Sequence, residues 1–218
     1  MASLASTAFR RSALVSSKLA PSTTAFFVCD IQERFRSLIH AFPSVVATSK
    51  KLLETADALS IPVVITEQNP KSLGATVSEL ALTTTPRLTS TLYTTYPKTK
   101  FSMYTPEVAT RLKELGTKDV VLFGIESHVC VLQTALELLR NDYGVHVVAD
   151  GVSSMNYPEI DIALNRMASE GAVVVSSESL MFMLLEDAKH DKFKTVSSIV
   201  KKYQEAAREN QLLFKSRV

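Results

Sequence analysis

The sequence predicts one α/β domain: a doubly wound, Rossmann-like parallel sheet of about six strands with helices on both faces. Three observations predict it. From Ala25 onward, short apolar runs alternate with longer amphipathic stretches. The short runs are continuous rather than alternating, as in strands buried on both faces of a parallel sheet. The 218 residues are 46% hydrophobic and 21% charged, enough to bury a core without staples. The domain is expected over residues 22–202, between an N-terminal tail, 1–21, and a C-terminal helical tail, 203–218.

Taken in order, residues 25–29 (AFFVC) form a buried strand ending at Asp30, and a helix follows over 43–59. Residues 62–66 (PVVIT) form the next strand and lead into a polar, turn-rich segment, 67–74. The Thr- and Tyr-rich residues 88–95 read as a strand. Within the stretch 83–95, an edge segment and a substrate lid are both open readings. Thr105, Pro106 and Glu107 start a helix with a capping hydroxyl, a proline and an acid in the first turn, and Gly116 ends it. Residues 119–124 form a strand. The helix over 127–140 has Val131, Leu132, Ala135, Leu136 and Leu139 at helical spacing. Residues 145–149 form a strand ending at Asp150. Asn156 is placed to cap the next helix, with Glu159 completing a capping box, and Gly171 closes it. The last strand, 172–175, precedes two C-terminal helices. There is no internal repeat and no interdomain linker.

Charge narrows the partners. The net charge is +2, but residues 1–29 hold Arg10, Arg11 and Lys18 and no acid, which leaves the body at −1. A near-neutral body gives no pull toward phosphate backbones, so nucleic acid is not an expected partner. No apolar run approaches the roughly 18 residues of a membrane span, so a membrane partner is not expected either. The two cysteines, Cys29 and Cys130, make neither a disulfide framework nor a metal-type spacing, which points to a reducing compartment. The first 20 residues are rich in Ser, Ala and Arg and lack acid, the composition of an organelle transit peptide. The corresponding location is mitochondrial. The alternative is a loose tail on a cytoplasmic protein.

In such sheets, sites form at the C-terminal ends of the strands. Three candidate residues fall there. Cys130 lies about one turn into a helix that follows a buried strand, where free N–H groups and the helix dipole favour a thiolate. A buried structural cysteine is the bland alternative. Asp30 ends the first strand, pointing into the crevice or serving as a helix cap. Lys100 precedes a helix and, taken alone, reads as a solvated surface charge. Together, an acid, a cation and a nucleophile converge on one edge of the sheet: the acid can take the thiol proton, and the ammonium can hold the thiolate. Strand alternation puts Cys29 on the face opposite Asp30.

Four segments carry a family resemblance: FVCDIQERF (27–35), TEQNP (66–70) with Leu73 and Gly74, KTKFS (98–102) and GIESHVCVLQT (124–134). Over about 24–201 the chain resembles the isochorismatase-like, or cysteine hydrolase, superfamily, and within it the eukaryotic isochorismatase domain-containing branch. The resemblance implies Asp30 as catalytic acid, Lys100 as the lysine and Cys130 as nucleophile. It also implies a cis peptide between Ile125 and Glu126, and an oxyanion hole from the N–H groups of Glu126 and Cys130. Nicotinamidase-like relatives carry a metal on Asp and His ligands. Here Glu67, Gln68 and Asn69 stand in that region with no His nearby, so neither a metal nor any other cofactor is expected. The members acting on isochorismate replace the cysteine, so Cys130 argues against that substrate.

The expected function is hydrolysis of a small amide, ureide or related carbonyl compound through a thioester acyl-enzyme. Phe35, Gln68, Phe101 and Ile125 are the candidate substrate contacts. The alternative is a non-catalytic binding protein that keeps the fold. His128 and Cys130 are two apart on a helix and face different ways, which argues against a Cys–His dyad. Met181 and Met183 read as core. Phe182, Met183 and Leu184 crowd a late helix with more apolar surface than one buried face needs, which predicts a homo-oligomer, a dimer or larger.

Overall fold

The computed structural model describes residues 19–80 and 92–213. The expected transit segment falls almost wholly outside them, as do residues 83–91 of the Thr-rich stretch.

Six strands and eight helices alternate along the described chain: β1 (Thr24–Cys29), α1 (Phe42–Leu59), β2 (Val63–Gln68), the short α2 (Pro70–Leu73), β3 (Tyr93–Lys98), α3 (Pro106–Glu114), β4 (Asp119–Ile125), α4 (Leu132–Arg140), β5 (Gly144–Ser153), α5 (Pro158–Glu170), β6 (Val173–Val175), α6 (Ser177–Leu185), α7 (Phe193–Lys202) and α8 (Gln204–Arg208). All strand pairs are parallel, in the order β3-β2-β1-β4-β5-β6, with helices on both sides of the sheet. The apolar runs do become the inner strands. All six residues of β1 and all seven of β4 are buried, and Phe26 of β1 meets Phe123 of β4 edge-on, with ring centroids 6.1 Å apart. Phe26 lies opposite Val63 on one side and Val121 on the other.

The strand order reverses direction between β1 and β4. At such a switch point the loops leaving the two strands run apart and open a crevice at their C-terminal ends. The candidate site sits there because Asp30 follows β1 and the Cys130 turn follows β4.

Three local expectations are corrected. The third strand is Tyr93–Lys98, several residues later than the Thr-rich pattern predicts. It is an edge strand, which tolerates Pro97 without losing a ladder bond on its outer side. The strand expected to end at Asp150 continues to Ser153, after the register slips between Leu122, opposite Val147, and Gly124, opposite Val152. The capping box at Asn156 does not form: α5 starts at Pro158, and the turn closes through the Glu159 N–H donating to the Asn156 carbonyl (3.1 Å). The start of α3 is as read, with Thr105 Oγ1 accepting from the Val108 N–H (3.4 Å).

The C-terminal segment folds back onto the domain. Asn210 is buried, and its amide donates to the Asp150 carbonyl (3.0 Å) and to Thr48 Oγ1 (3.3 Å). The Asp150 carboxylate in turn accepts from the Ser177 N–H (2.6 Å) and hydroxyl, with Lys51 Nζ at 3.8 Å.

Candidate active site

Asp30 is the first residue past β1. Its backbone is left-handed (φ 54°), so the chain turns sharply as it leaves the sheet. Its N–H still donates to the Thr66 carbonyl (3.2 Å). Its carboxylate, 2% exposed, accepts from Thr66 Oγ1 on one oxygen (2.8 Å) and from Lys98 Nζ on the other (2.7 Å).

The cation paired with Asp30 is therefore Lys98 and not Lys100. The Lys98 side chain is fully enclosed. Its ammonium also donates to Gln68 Oε1 (2.7 Å) and to the carbonyls of Phe101 (2.9 Å) and Lys100 (3.2 Å). Burial works against the ammonium, but Cys29, Asp30 and Cys130 around it outweigh that, and the Lys98 pKa is held above its ordinary value. Lys100 points elsewhere: its Nζ binds Glu137 Oε1 (2.6 Å) and the Tyr104 carbonyl (3.1 Å), on a side chain 49% exposed. The physical reason lies in where β3 ends. Lys98 is its last paired residue, opposite Gln68, and its side chain reaches toward Asp30. The chain then leaves the sheet, so Lys100 contributes a carbonyl to Lys98 rather than a charge to the crevice.

Cys130 sits on one π-helical turn, Ser127–Val131, between β4 and α4. Two backbone features shape the approach. Gly124 has φ 137°, and a Cβ there would lie 2.2 Å from the Cys29 carbonyl oxygen, so β4 can run this close to β1 only as glycine. Glu126 is left-handed (φ 58°), and its carbonyl accepts from the N–H groups of Val129 (3.0 Å) and Val131 (3.2 Å). The Ile125–Glu126 peptide is trans; there is no cis peptide bond among the described residues, which corrects the expectation drawn from the resemblance. The Cys130 carbonyl accepts from Thr134 Oγ1 (2.6 Å), which ties the turn to α4.

Cys29 does not face away. Its sulfur lies 3.7 Å from the Asp30 carboxylate, on the side of the crevice. Alternation of faces holds only while the chain stays extended. The left-handed turn at Asp30 breaks it and brings neighbouring side chains into one pocket. Burial first, then the Cys130 thiol and the Asp30 carboxylate, push the Cys29 thiol well above its ordinary pKa.

The other candidates separate. The Gln68 amide accepts from Lys98 and donates to the Thr99 carbonyl (2.8 Å), so it holds the lysine in place. Ile125 is fully buried in the core, Phe35 is half-buried, and Phe101 is exposed. Glu67 accepts from both the N–H (2.7 Å) and the hydroxyl (2.8 Å) of Thr76. His128 turns to Ser154 Oγ (3.0 Å) and Glu126 (3.3 Å), toward the loop after β5. Sequence reasoning missed Thr66 and Gln32. The Gln32 amide donates to the carbonyls of Gln68 (3.0 Å) and Gly74 (2.6 Å) and accepts from the Gln68 N–H (2.7 Å), bracing the residue that braces Lys98. Their signal was membership of the segments 27–35 and 66–70: Thr66 pairs with Cys29 across β1 and β2, and Gln32 follows Asp30 by two residues.

The chain resembles known proteins in sequence and in fold. The isochorismatase domain model matches residues 24–179. The chain is 48% identical over 184 residues to isochorismatase domain-containing protein 1 of Salmo salar, covering 84% of this chain and 62% of that protein. It is 44% identical over 184 residues to isochorismatase domain-containing protein 2 of Xenopus laevis, covering 84% of this chain and 86% of that protein. The solved structure of the MAR1 ribonuclease from Caenorhabditis elegans superposes with a TM-score of 0.83 at 38% identity, over 93% of this chain and 100% of that one. With its family model spanning most of the domain, the chain belongs to the isochorismatase domain family.

Proposed function

We propose that the protein is a cysteine-nucleophile hydrolase of small amides, ureides or related carbonyl compounds, with Cys130, Asp30 and Lys98 as its catalytic groups. The observation that carries the reading is the enclosed Asp30–Lys98 pair, 2.7 Å apart, beside the Cys130 thiol. A buried ion pair is a poor stabiliser, because removing each charge from water costs several kcal/mol. Chemistry on the adjacent thiol gives it a use.

In the proposed cycle, Asp30 takes the Cys130 proton as the sulfur bonds to the carbonyl carbon. The carbonyl π pair moves to oxygen, held by the N–H groups of Glu126 and Cys130. Collapse restores the carbonyl and breaks the bond to the leaving amine, which takes the proton from Asp30. Water then gives a proton to Asp30 and attacks the thioester. The acid departs, and Asp30 returns the proton to sulfur. Lys98 keeps Asp30 oriented and offsets the thiolate charge.

The Caenorhabditis elegans neighbour is named a ribonuclease. The near-neutral body and a thiol nucleophile favour a carbonyl substrate over a phosphodiester here. The deciding experiment offers the wild type and Cys130→Ala a panel of small amides and ureides and, separately, an RNA oligonucleotide, and follows amine release and acyl-enzyme mass. Amide turnover that disappears in Cys130→Ala, with a trapped acyl group on Cys130, is the expected result. Turnover that survives Cys130→Ala, or cleavage of RNA alone, sinks the reading. No turnover of any substrate, with an unreactive Cys130, favours a binding protein.

A further inference from the structure

We propose that Cys29 and Cys130 form a peroxide-responsive dithiol, in which oxidation of Cys130 is captured by Cys29 as an internal disulfide. The proposal rests on the reading of Cys130 as the reactive thiol, and it gives a role to a group the hydrolytic cycle does not use.

Four features of the pocket carry it. The Cys29 sulfur lies 3.7 Å from the Asp30 carboxylate, and the Cys130 thiol is near enough to help hold the Cys29 proton. The carboxylate oxygen it approaches is the one that Lys98 holds at 2.7 Å, so a proton acceptor and a cation lie beside the Cys29 sulfur. Access is unequal: Cys130 is 6% exposed and Cys29 is 0% exposed, so an oxidant entering from the crevice meets Cys130 first. The two sulfurs must close to about 2.05 Å to bond. Cys29 is fixed in the central strand, whereas Cys130 rides on a π-helical turn, a wider and less regular segment than an α-turn and better able to give.

The chemistry balances with a hydroperoxide as oxidant. The Cys130 thiolate attacks hydrogen peroxide; an S–O bond forms, the O–O bond breaks, and hydroxide leaves as water with the former thiol proton. Cys29 then gives its proton to Asp30 and attacks the sulfenic sulfur. The S–S bond forms, the S–O bond breaks, and the departing hydroxide takes the proton from Asp30. Two thiols and one peroxide become one disulfide and two waters. The capture halts oxidation at a step a thiol can reverse, before the sulfinic acid. Hydrolysis would pause under oxidising conditions and resume on reduction.

The chain contains only these two cysteines, so the test is direct. The full chain is treated with hydrogen peroxide, denatured, alkylated with iodoacetamide and weighed intact. The expected product is monomeric, has lost both alkylation sites, has gained no oxygen, yields a Cys29–Cys130 linked peptide, and recovers both thiols with dithiothreitol. In Cys29→Ala and Cys29→Ser, the fraction recoverable by dithiothreitol after prolonged exposure should fall roughly tenfold as Cys130 proceeds to the sulfinic acid. Oxygen gained on Cys130 while Cys29 still alkylates, or a disulfide only between two chains, overturns the proposal. A prior alkylation of the reduced native protein separates the failures. If Cys130 labels but no internal disulfide forms, the dithiol alone is wrong; if Cys130 does not label, it falls together with the nucleophile assignment.

Discussion

Lys98 and Lys100 share a charge and nearly an address, yet the side chain of one is fully enclosed and that of the other 49% exposed. Replacing Lys98 with Met removes the cation between Asp30 and the thiols. Alkylation of Cys130 by iodoacetamide at pH 7 should slow by about tenfold or more, whereas Lys100→Met should leave it unchanged. Lys98→Arg should recover only part of the loss, since a planar guanidinium does not fit four convergent acceptors meant for an ammonium. Equal slowing by the two Met variants would dismiss the assignment. A second expectation concerns Cys29, whose thiol is held above its ordinary pKa by burial. The folded protein keeps that proton where the unfolded chain loses it. The associated stability is therefore complete below about pH 8.5 and falls as pH rises further, by up to about 1.4 kcal/mol per pH unit for one proton. Urea midpoints between pH 8.5 and 10 should fall more steeply for wild type than for Cys29→Ala; parallel slopes would show that Cys29 ionises freely. At this scale the placement of Asp30 and Cys130 past strand ends was legible, although Asp150 also ends a strand as read from the sequence and Cys29 ends β1. The lysine was not: both lysines lie in one short motif, and choosing between them required knowing the last paired residue of β3.

Among the elements, the close pairing of β1 and β4 holds the site together. Each β1 residue from Thr24 to Cys29 is paired with β4, and the pairing ends with Cys29 against Gly124. Gly124→Ala would drive a methyl group into the Cys29 backbone at a φ of 137°. It should force the strands apart just where Asp30 and the Cys130 turn diverge. We expect a destabilisation of about 2 kcal/mol or more, together with loss of Cys130 alkylation selectivity. A Gly124→Ala protein with wild-type melting and labelling would show that this approach is not needed. Continuous apolar runs made the inner strands readable, because burial on both faces leaves little choice of residue. The edge strand was harder to read. β3 is mostly half-buried or exposed, carries Pro97 and is rich in Thr and Tyr, so its pattern blurs and its limits shift. The break in alternation at Asp30 was also hidden, since a left-handed aspartate is set by the tight exit from β1 and not by any local turn residue.

For the whole molecule, the reversal of strand order at the centre of the sheet explains why Asp30 and the Cys130 turn open onto one crevice, and the fold was readable because short apolar runs alternate with amphipathic stretches. The surface poses a different question. Helix α6 buries Leu180, Met181, Leu184 and Leu185, yet Phe182 and Met183 on its other side remain 38% and 41% exposed. A helix apolar on both sides is ordinarily covered on both. Phe182 is partly sheltered by Phe193, its ring centroid 6.4 Å away, but Met183 is not, so the corner between α6 and α7 presents an apolar surface. We expect it to be buried against a second copy of the chain in a symmetric assembly, because an isologous contact pairs the same patch with itself. Light scattering at micromolar concentration should give a mass of two or more chains. The double variant Phe182→Ser with Met183→Ser should shift that mass toward one chain while melting within about 1 kcal/mol of wild type, since it touches little of the core. A wild type that is monomeric at micromolar concentration would end the proposal. An oligomer that survives the double variant would move the interface elsewhere, and the exposed Met155, whose N–H donates to the Glu126 carboxylate before the Cys130 turn, would mark the next surface to test.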